Sequence, residues 1–389
     1  MYKKILYLCL LAMLSSCTSH EDNTVESKYA ITFDDSHVVD IKDLVTDIEI
    51  IELDTRTEAL VPNTANVSVH GDKIFCFSCD KSGVVKVFDL NGEYIFQISH
   101  TGRATNEWIR LTSMYINEKE NAIYLTDAES KKVLLYTMDG IFVKSMQFGT
   151  YDYFQITHDD GYYYSQTNPF MSGFQPDKNT DHKINIYDYN GKFVAQSVPL
   201  RQNDGRMLEM SDHHFYMGQE RCLLAPSLDN TVYELSGGKC IPYITYDYKG
   251  ETPMYTEKDI QEAIDNDKWL GGKDKTYYAG KVVESPELII RRMGMYEGKD
   301  IIFNKNTGNV TVTAFDSNVH SAYHLSDYFL YQFPHCYADG YYYAIINYEL
   351  LELPSEYTGD RIPECMKEIA EKAKQGKVNN VLVRYKIKA

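Results

Sequence analysis

The chain has 389 residues, of which 43% are hydrophobic, and its 56 acidic and 39 basic residues give a formal net charge of -17. A surface this acidic repels nucleic acid and anionic lipid headgroups, so we expect no nucleic-acid partner. Tyrosine occurs 33 times, against 16 phenylalanines and 2 tryptophans. This abundance is typical of β-rich proteins, in which a half-buried strand position packs the ring and keeps the hydroxyl group wet.

The N-terminus has the features of a secretory signal. Lys3 and Lys4 precede an apolar run at 5–14 that is too short to span a bilayer as a helix. We therefore expect the protein to be exported.

A cysteine follows the apolar run. The sequence Leu14-Ser15-Ser16-Cys17 resembles the lipobox of bacterial lipoproteins, although a plain signal peptide with a chance cysteine is the alternative. The resemblance implies that residues 1–16 are removed, that Cys17 is lipidated, and that 17–28 form a flexible tether to one domain at 29–389. It also implies an outer-membrane lipoprotein that faces the periplasm or the cell surface, with the membrane as a partner through its N-terminal lipid.

Residues 84–148 contain one structural unit written twice. In each copy, alternating apolar residues surround a turn pair, Asn91-Gly92 or Asp139-Gly140, which predicts a tight β-hairpin. A third copy lies at 187–194 and a weaker fourth copy at 232–238. A period of about 50 residues with about four short strands is the signature of a β-propeller.

Six such repeats account for the chain, so we predict an all-β, six-bladed β-propeller. The first five blades are predicted at 66–99, 111–148, 153–199, 214–248 and 280–315. Blade six is predicted from strands at 330–335, 340–348 and 380–387, which leaves it one strand short. A strand at 47–53 precedes the first repeat, and we expect it to complete blade six and close the ring.

Two helices and four long connections interrupt this pattern. Capping chemistry at Thr256 and Asp259 predicts one helix, and Pro363 begins the other. The long connections join second to third strands or successive blades, so all of them are expected on one face of the ring, where binding usually resides. They are predicted at 166–182, 200–213, 249–279 and 350–378.

Several segments together resemble a known family, the bacterial six-bladed β-propeller lipoproteins related to NHL-repeat propellers. They are 89–92, the loop Gly102-Arg103-Ala104-Thr105-Asn106-Glu107-Trp108, 229–235 and 379–386. The resemblance implies a propeller, export and a general expectation of binding, and it brings no catalytic motif or cofactor.

Two short patterns in the sequence resemble catalytic or metal-binding motifs, and each has a simpler structural explanation. His158, Asp159, Asp160 and Gly161 suggest a carboxylate–histidine pair, but they read better as an ordinary turn. We expect no zinc at the Cys-x-x-Cys pair formed by Cys76 and Cys79, because it lies on a predicted strand and residues i and i+3 of a strand face opposite sides. We expect no metal and no cofactor, with free thiols at Cys76, Cys79, Cys222, Cys240, Cys336 and Cys365, although an exported protein could form a disulfide.

The leading functional hypothesis is a non-catalytic binding module. We expect it to hold a glycan, a peptide or a partner lipoprotein on the long-loop face, around Arg103, Trp108, Trp269 and Tyr277. Flat rings at a pocket mouth suit stacking, and an arginine suits a carboxylate. The alternative is that each tryptophan pins its own loop, which the helical spacing before Trp269 favours.

The rival hypothesis is a hydrolase or lyase whose active site is assembled from several blades and leaves no linear motif. Its candidate catalytic residues, expected at the channel mouth, are His335, Tyr337, Arg291 and Arg292. A convergent cluster of these side chains would favour the enzyme, and an aromatic platform would favour binding.

Overall fold

The computed structural model describes residues 26–62, 66–78, 83–148, 153–167, 182–199, 215–218, 221–256, 258–260, 262, 266, 275–294, 299–314, 333–346 and 364–388. Within them the chain begins with three strands, β1 (Tyr29–Phe33), β2 (Val38–Asp40) and β3 (Val45–Glu52). Short 3-10 turns lie at Ile41–Asp43 and Thr57–Ala59. These opening strands run along the outside of the blades described next.

The remaining strands form six antiparallel sheets that follow one another in sequence. Blades one to three consist of β4 (Asn66–His70), β5 (Lys73–Ser78), β6 (Val84–Asp89), β7 (Tyr94–Ile98); β8 (Leu111–Asn117), β9 (Ala122–Asp127), β10 (Lys132–Thr137), β11 (Phe142–Gln147); and β12 (Tyr153–Asp159), β13 (Tyr162–Thr167), β14 (His182–Asp188), β15 (Phe193–Pro199).

Blades four to six consist of β16 (Phe215–Met217), β17 (Cys222–Leu224), β18 (Thr231–Ser236), β19 (Lys239–Tyr248); β20 (Tyr278–Glu284), β21 (Leu288–Met293), β22 (Lys299–Asn304), β23 (Val310–Ala314); and β24 (Cys336–Ala338), β25 (Tyr341–Ile346), β26 (Val381–Ile387), with β3 as the fourth strand. One helix, α1 (Glu364–Lys374), precedes β26. The six-bladed propeller is confirmed. No helix in the described ranges is long and apolar enough to cross a membrane.

The repeated hairpins form because their turn residues satisfy the local backbone. In blade one, the Asp89 carboxylate accepts hydrogen bonds from the backbone N–H groups of Asn91 and Glu93 at 2.8 and 2.9 Å. Gly92 has a φ of 88°, and a Cβ there would clash with the carbonyl of Glu52. The Asn-Gly pair therefore fixes the hairpin and also lets blade one approach the closing strand.

Ring closure follows the prediction. β3 pairs antiparallel with β26, with Ile50 opposite Val383, so both ends of the domain share blade six. The buried Asn379 side chain accepts from Val61 N–H at 3.0 Å and donates to the Asp54 and Ala59 carbonyls at 2.8 and 3.0 Å. One amide side chain thus fixes the segment after β3 to the segment before β26.

Two details differ from the prediction. The first strand of blade six is β24, which pairs with Tyr341–Tyr343, whereas the predicted strand at 330–335 ended before it. The opening segment also contributes more than one strand, because β1 lies parallel to β19 and β2 lies parallel to β23 as fifth strands of blades four and five. Neither β1 nor β2 forms a hairpin with a strand nearby in the sequence, so no turn motif predicts their pairing.

The core lies between the faces of adjacent blades. The second strand of a blade is almost wholly buried, as in β9, where all six residues are buried. The fourth strand is partly exposed, as in β11, where half-buried and exposed residues occur together. Many tyrosines are fully enclosed rather than half-buried, among them Tyr163, Tyr343 and Tyr385. Burial raises the pKa of Tyr385 well above its usual value, so its hydroxyl stays neutral.

Candidate functional site

The strand order defines two faces of the ring. First-to-second and third-to-fourth connections emerge on one face, which we call the short-turn face; the other connections emerge on what we call the long-loop face. The strands that flank the four predicted insertions, such as β13 with β14 and β15 with β16, end on the long-loop face. Most of the inserted residues lie outside the described ranges.

The connection from β7 to β8 is the one link between successive blades whose residues are all described, and it forms a compact loop at 100–108. The Gly102 N–H donates to the Trp108 carbonyl at 2.8 Å, and the Trp108 N–H donates to the His100 carbonyl at 2.9 Å. Inside the loop, the Ala104 N–H donates to the Glu107 carboxylate at 2.8 Å. The Glu107 carboxylate occupies the space that a Cβ at Gly102 would need. We call this segment the 100–108 loop.

Blade two holds the loop from beneath. The Lys132 ammonium donates to the Ala104 carbonyl at 3.0 Å, and the Tyr136 hydroxyl donates to the Asn106 carbonyl at 3.0 Å. Burial raises the pKa of Tyr136 to about 12, so the phenol keeps its proton and remains a donor at neutral pH. The loop is therefore a preorganised platform.

Trp108 is buried and not at the surface. Its side chain is 1% exposed, it packs in the cluster between blades one and two, and its indole N–H donates to the Gly83 carbonyl at 3.1 Å. The expectation of an exposed ring on this loop was wrong. The indole fills the gap between two blades, and this anchors the loop, as the alternative interpretation of a pinning tryptophan stated.

The arginines distinguish this loop from the rest of the described surface. Seven of the chain's ten arginines are described, and four of them form ion pairs with carboxylates. Arg103 and Arg110 are both exposed and form no ion pair within the described residues. They lie on either side of Trp108, on the long-loop face.

The backbone around Arg110 is fixed as firmly as that around Arg103. The buried Asp127 carboxylate accepts hydrogen bonds from the N–H groups of Ile109 and Arg110 at 3.0 and 3.1 Å. Arg103 and Arg110, which have no ion-pair partner within the described part of the chain, are thus presented on a rigid backbone.

The seventh arginine, Arg291, is enclosed. It is 0% exposed, its guanidinium carbon lies 5.0 and 4.7 Å from the ring centres of Tyr246 and Tyr278, and it donates to the Pro226 and Asp229 carbonyls. Burial lowers the pKa of this guanidinium. Arg291 was expected among the candidate catalytic residues at the channel mouth, but its side chain lies enclosed between blades four and five.

The other predicted residues do not converge on one site. Tyr277 is buried beside Tyr255, with ring centres 6.1 Å apart, and Trp269 lies outside the described residues. His335 is half-buried, and its N–H donates to the Tyr343 carbonyl at 2.7 Å.

The remaining two candidate catalytic residues are Tyr337 and Arg292. Tyr337 is half-buried, two residues before the Asp339-Gly340 turn and therefore near the short-turn face. Arg292 forms a two-pronged ion pair with the buried Asp300, at 2.9 and 3.1 Å. The Arg292 guanidinium also lies 5.0 Å from the ring centre of Phe333, and the Tyr337 ring lies 4.9 Å from that of Tyr342, so both side chains take part in packing.

Sequence reasoning missed a buried polar cluster between blades two and three. Asp160 and Gly161 form the expected turn with positive φ angles, but the His158 ring before it is 1% exposed. Its Nδ1 lies 3.3 Å from both Asn117 Nδ2 and Glu120 Oε1, while its Nε2 has no partner. These neighbours come from another blade, so only the repeat-to-repeat alignment could have indicated them. No group of three or more His, Cys, Asp or Glu side chains suited to a metal ion occurs in the described residues.

The four cysteines whose side chains the structure describes are free thiols, and the side chain of Cys365 lies outside the described part. Cys76, Cys222 and Cys336 are buried and Cys240 is half-buried. Burial raises the pKa of Cys240 and of Cys336 to about 12. Cys79 lies outside the described residues, so the Cys-x-x-Cys pair cannot be placed in full.

Comparison with known proteins places this architecture in a family. A solved structure from Bacteroides fragilis NCTC 9343, of a protein predicted to be exported, superposes with a TM-score of 0.72 at 15% sequence identity and covers 92% of this chain and 100% of that one. A member of the DUF4221 family from Bacteroides vulgatus ATCC 8482 is similar at a TM-score of 0.48 and 10% identity, over 89% of this chain and 98% of that one. No curated protein matches the sequence. The family model of the domain of unknown function DUF4934 matches residues 27–386, and the chain therefore belongs to the DUF4934 family.

Proposed function

We propose that the protein is a non-catalytic binding module that holds a carboxylate-bearing glycan, peptide or partner lipoprotein at the 100–108 loop of its long-loop face. One observation carries the proposal. In a chain with 56 acidic residues, the four other surface-reaching arginines that are described all have carboxylate partners, while Arg103 and Arg110 have none among the described residues. Two guanidinium groups that have no carboxylate partner in the described ranges and lie on a fixed backbone are a site for an anion supplied from outside.

The anionic character of the ligand follows from the surroundings. The protein's net charge of -17 repels anions, so an acidic ligand needs a local cationic contact to bind at all. Planar guanidinium groups bind carboxylates with two parallel hydrogen bonds, which adds geometric selectivity to the attraction. The rigidity of the loop reduces the entropy lost on binding.

The alternative of a hydrolase or lyase has less support. Of its candidate residues, Arg291 is enclosed between blades four and five, and Arg292 is held in an ion pair by the buried Asp300. A screen that measures product release beside binding tests this alternative directly.

The binding experiment uses purified full-length protein and arrays of uronic-acid glycans and acidic peptides, each paired with its neutral reduced or amidated form. We expect binding to the acidic member of a pair and not to the neutral one. Arg103→Ala and Arg110→Ala should each weaken that binding about tenfold, the loss expected for one charge-assisted hydrogen-bonded contact. Arg56→Ala, which removes an exposed arginine that pairs with Asp54, is the matched control. Equal binding to neutral and acidic partners, or equal loss in the control, would refute the proposal.

We also infer that the protein is exported and anchored to the outer membrane through a lipid on Cys17, as in the NHL-related lipoprotein propellers. The inference is supported by the charged and apolar N-terminus, by the sequence at 14–17, and by the predicted export of the Bacteroides fragilis protein with the same fold. Cys17→Ala should release the protein from the membrane fraction, and continued membrane fractionation would show the anchor to be wrong.

A further inference from the structure

The six blades differ in whether a strand from the N-terminal segment pairs with their outer edge. On blade four, β1 pairs parallel with β19 over five residue pairs, from Tyr29 opposite Ile244 to Phe33 opposite Tyr248. On blade five, β2 adds in the same direction to β23, and on blade six β3 completes the sheet. In blades one to three, no strand among the described residues pairs with the outer edges of β7, β11 and β15.

These three edges, of which only the first residue of β7 is bonded by Arg56 among the described residues, are largely apolar. Ile95, Val143 and Val194 occupy the same place in successive blades, each the third residue after the hairpin glycine, and their exposures are 46%, 52% and 48%. Six of the eight exposed large hydrophobic side chains among the described residues belong to these blades: Ile95, Ile141, Val143, Tyr189, Phe193 and Val194. A repeated exposed apolar position indicates a contact surface.

The edges have little protection by charge against pairing. Unpaired edge strands normally carry charges, prolines or bulges that discourage a further strand. β7, β11 and β15 together contain one charged residue, Lys144, in a chain that is 24% charged, and one proline, at the end of β15. Each of the three strands has a bulge, but β19 also has one and still accepts β1. Lys144 donates to the Tyr189 hydroxyl at 2.7 Å and lies 4.2 Å from that ring centre, so its charge is held against the neighbouring blade.

Strand β1, which pairs with the outer edge of blade four, shows which kind of segment such an edge can bind. β1 is uncharged and alternates, with Ile31 and Phe33 buried and Tyr29 packed 5.1 Å from the ring of Phe303 in the next blade. Every second side chain therefore enters the groove between two blades while the backbone extends the sheet. This mode of recognition is β-strand addition.

We propose that the outer edges of blades one to three are a docking surface for an extended, uncharged segment of a partner protein, which adds as a fifth strand in the way β1 does on blade four. The shape of the ring favours an extended segment over a second copy of this chain. Consecutive edges diverge by about 60° in a six-bladed ring, so a globular copy reaches one edge at a time. An extended segment follows several edges, as residues 29–52 do on the other half of the ring. This proposal does not depend on the 100–108 loop.

The test uses the purified full-length protein and a fluorescent synthetic peptide that copies residues 27–54 with each Asp, Glu and Lys replaced by Asn or Gln, so that the peptide is uncharged. Fluorescence polarisation should show saturable binding, and hydrogen exchange should slow at the amides of β7, β11 and β15. The triple variant Ile95→Lys, Val143→Lys, Val194→Lys should weaken peptide binding at least tenfold without lowering the melting temperature, because all three side chains are exposed. Leu60→Lys, at an exposed leucine that belongs to none of the three edge strands, is the matched control and should bind as the wild type does.

Three results would overturn the proposal. The first is no binding of the peptide, or equal binding to the triple variant. The second is slowed exchange at β19 or β23 instead, which would mean that the peptide exchanges with the protein's own strands. The third is self-association of the wild type in sedimentation that the triple variant abolishes, which would assign the edges to a second copy.

Discussion

Replacing Trp108 with alanine tests whether its ring supports the 100–108 loop or contacts a ligand. The side chain is 1% exposed and packs between blades one and two, so its removal leaves a cavity in the core. Truncation of a buried tryptophan costs about 3–5 kcal/mol of unfolding free energy. Trp108→Ala also leaves the Gly83 carbonyl without its indole donor, which places the expected loss at the upper end of that range.

Trp108→Phe separates the two contributions. Phenylalanine keeps most of the apolar contact and removes the hydrogen bond, so we expect a loss of about 1–2 kcal/mol. Urea unfolding followed by far-ultraviolet circular dichroism is the suitable assay, because removing one of the two tryptophans changes the fluorescence signal by itself. The midpoint should fall in the order wild type, phenylalanine variant, alanine variant, with an unchanged slope. A wild-type midpoint for Trp108→Ala together with weakened ligand binding would refute the scaffold role and return the ring to the ligand site.

Two further predictions concern the ring itself. Asn379→Ala removes three hydrogen bonds to the backbone at 54–61 and should lower the unfolding free energy by about 2–4 kcal/mol, measured in the same urea assay; a loss within 0.5 kcal/mol would show that β3 alone closes the ring. His158 is buried, and burial lowers its pKa below the usual 6.5, so the unfolded chain binds a proton more readily than the folded one. Its stabilising effect is complete above pH 6.5 and is lost as the pH falls towards the folded pKa, at no more than about 1.4 kcal/mol per pH unit. His158→Gln should flatten the fall in stability between pH 7 and pH 5, and an unchanged profile would assign that fall to other groups.

The fold could be predicted because the repeating unit carries its own local signal. Asn91-Gly92 and its counterparts fix each hairpin, and the alternation around them fixes which residues face the core. The closing strand was predictable for a different reason, since a ring with one strand missing has only one nearby segment to supply it. β1 and β2 were not predictable in this way, because they add to distant strands in parallel and have no turn of their own.

The candidate site could be predicted only in part. Its location on the long-loop face follows from topology, and Arg103 was indicated by the loop sequence. Whether an arginine forms an ion pair depends on residues far away in the sequence, as for Arg384 and Glu49, which lie 335 positions apart. Which arginine remains unpaired, and whether Trp108 faces solvent or core, are outcomes of the packing between blades that no local pattern records.

The two proposed surfaces should act independently, because the propeller separates them. The 100–108 loop projects from one end of the ring, while the outer edges of β7, β11 and β15 lie around its circumference. Mutations at sites without shared partners usually have additive effects. The double variant Arg103→Ala, Arg110→Ala should therefore bind the 27–54 peptide as the wild type does, and the triple lysine variant at Ile95, Val143 and Val194 should keep its affinity for the acidic ligand. Both affinities can be measured in one protein preparation by competition. A change of more than threefold in the affinity at the unmutated surface would show that the surfaces are coupled or shared, and separate binding sites could then no longer be assigned to them.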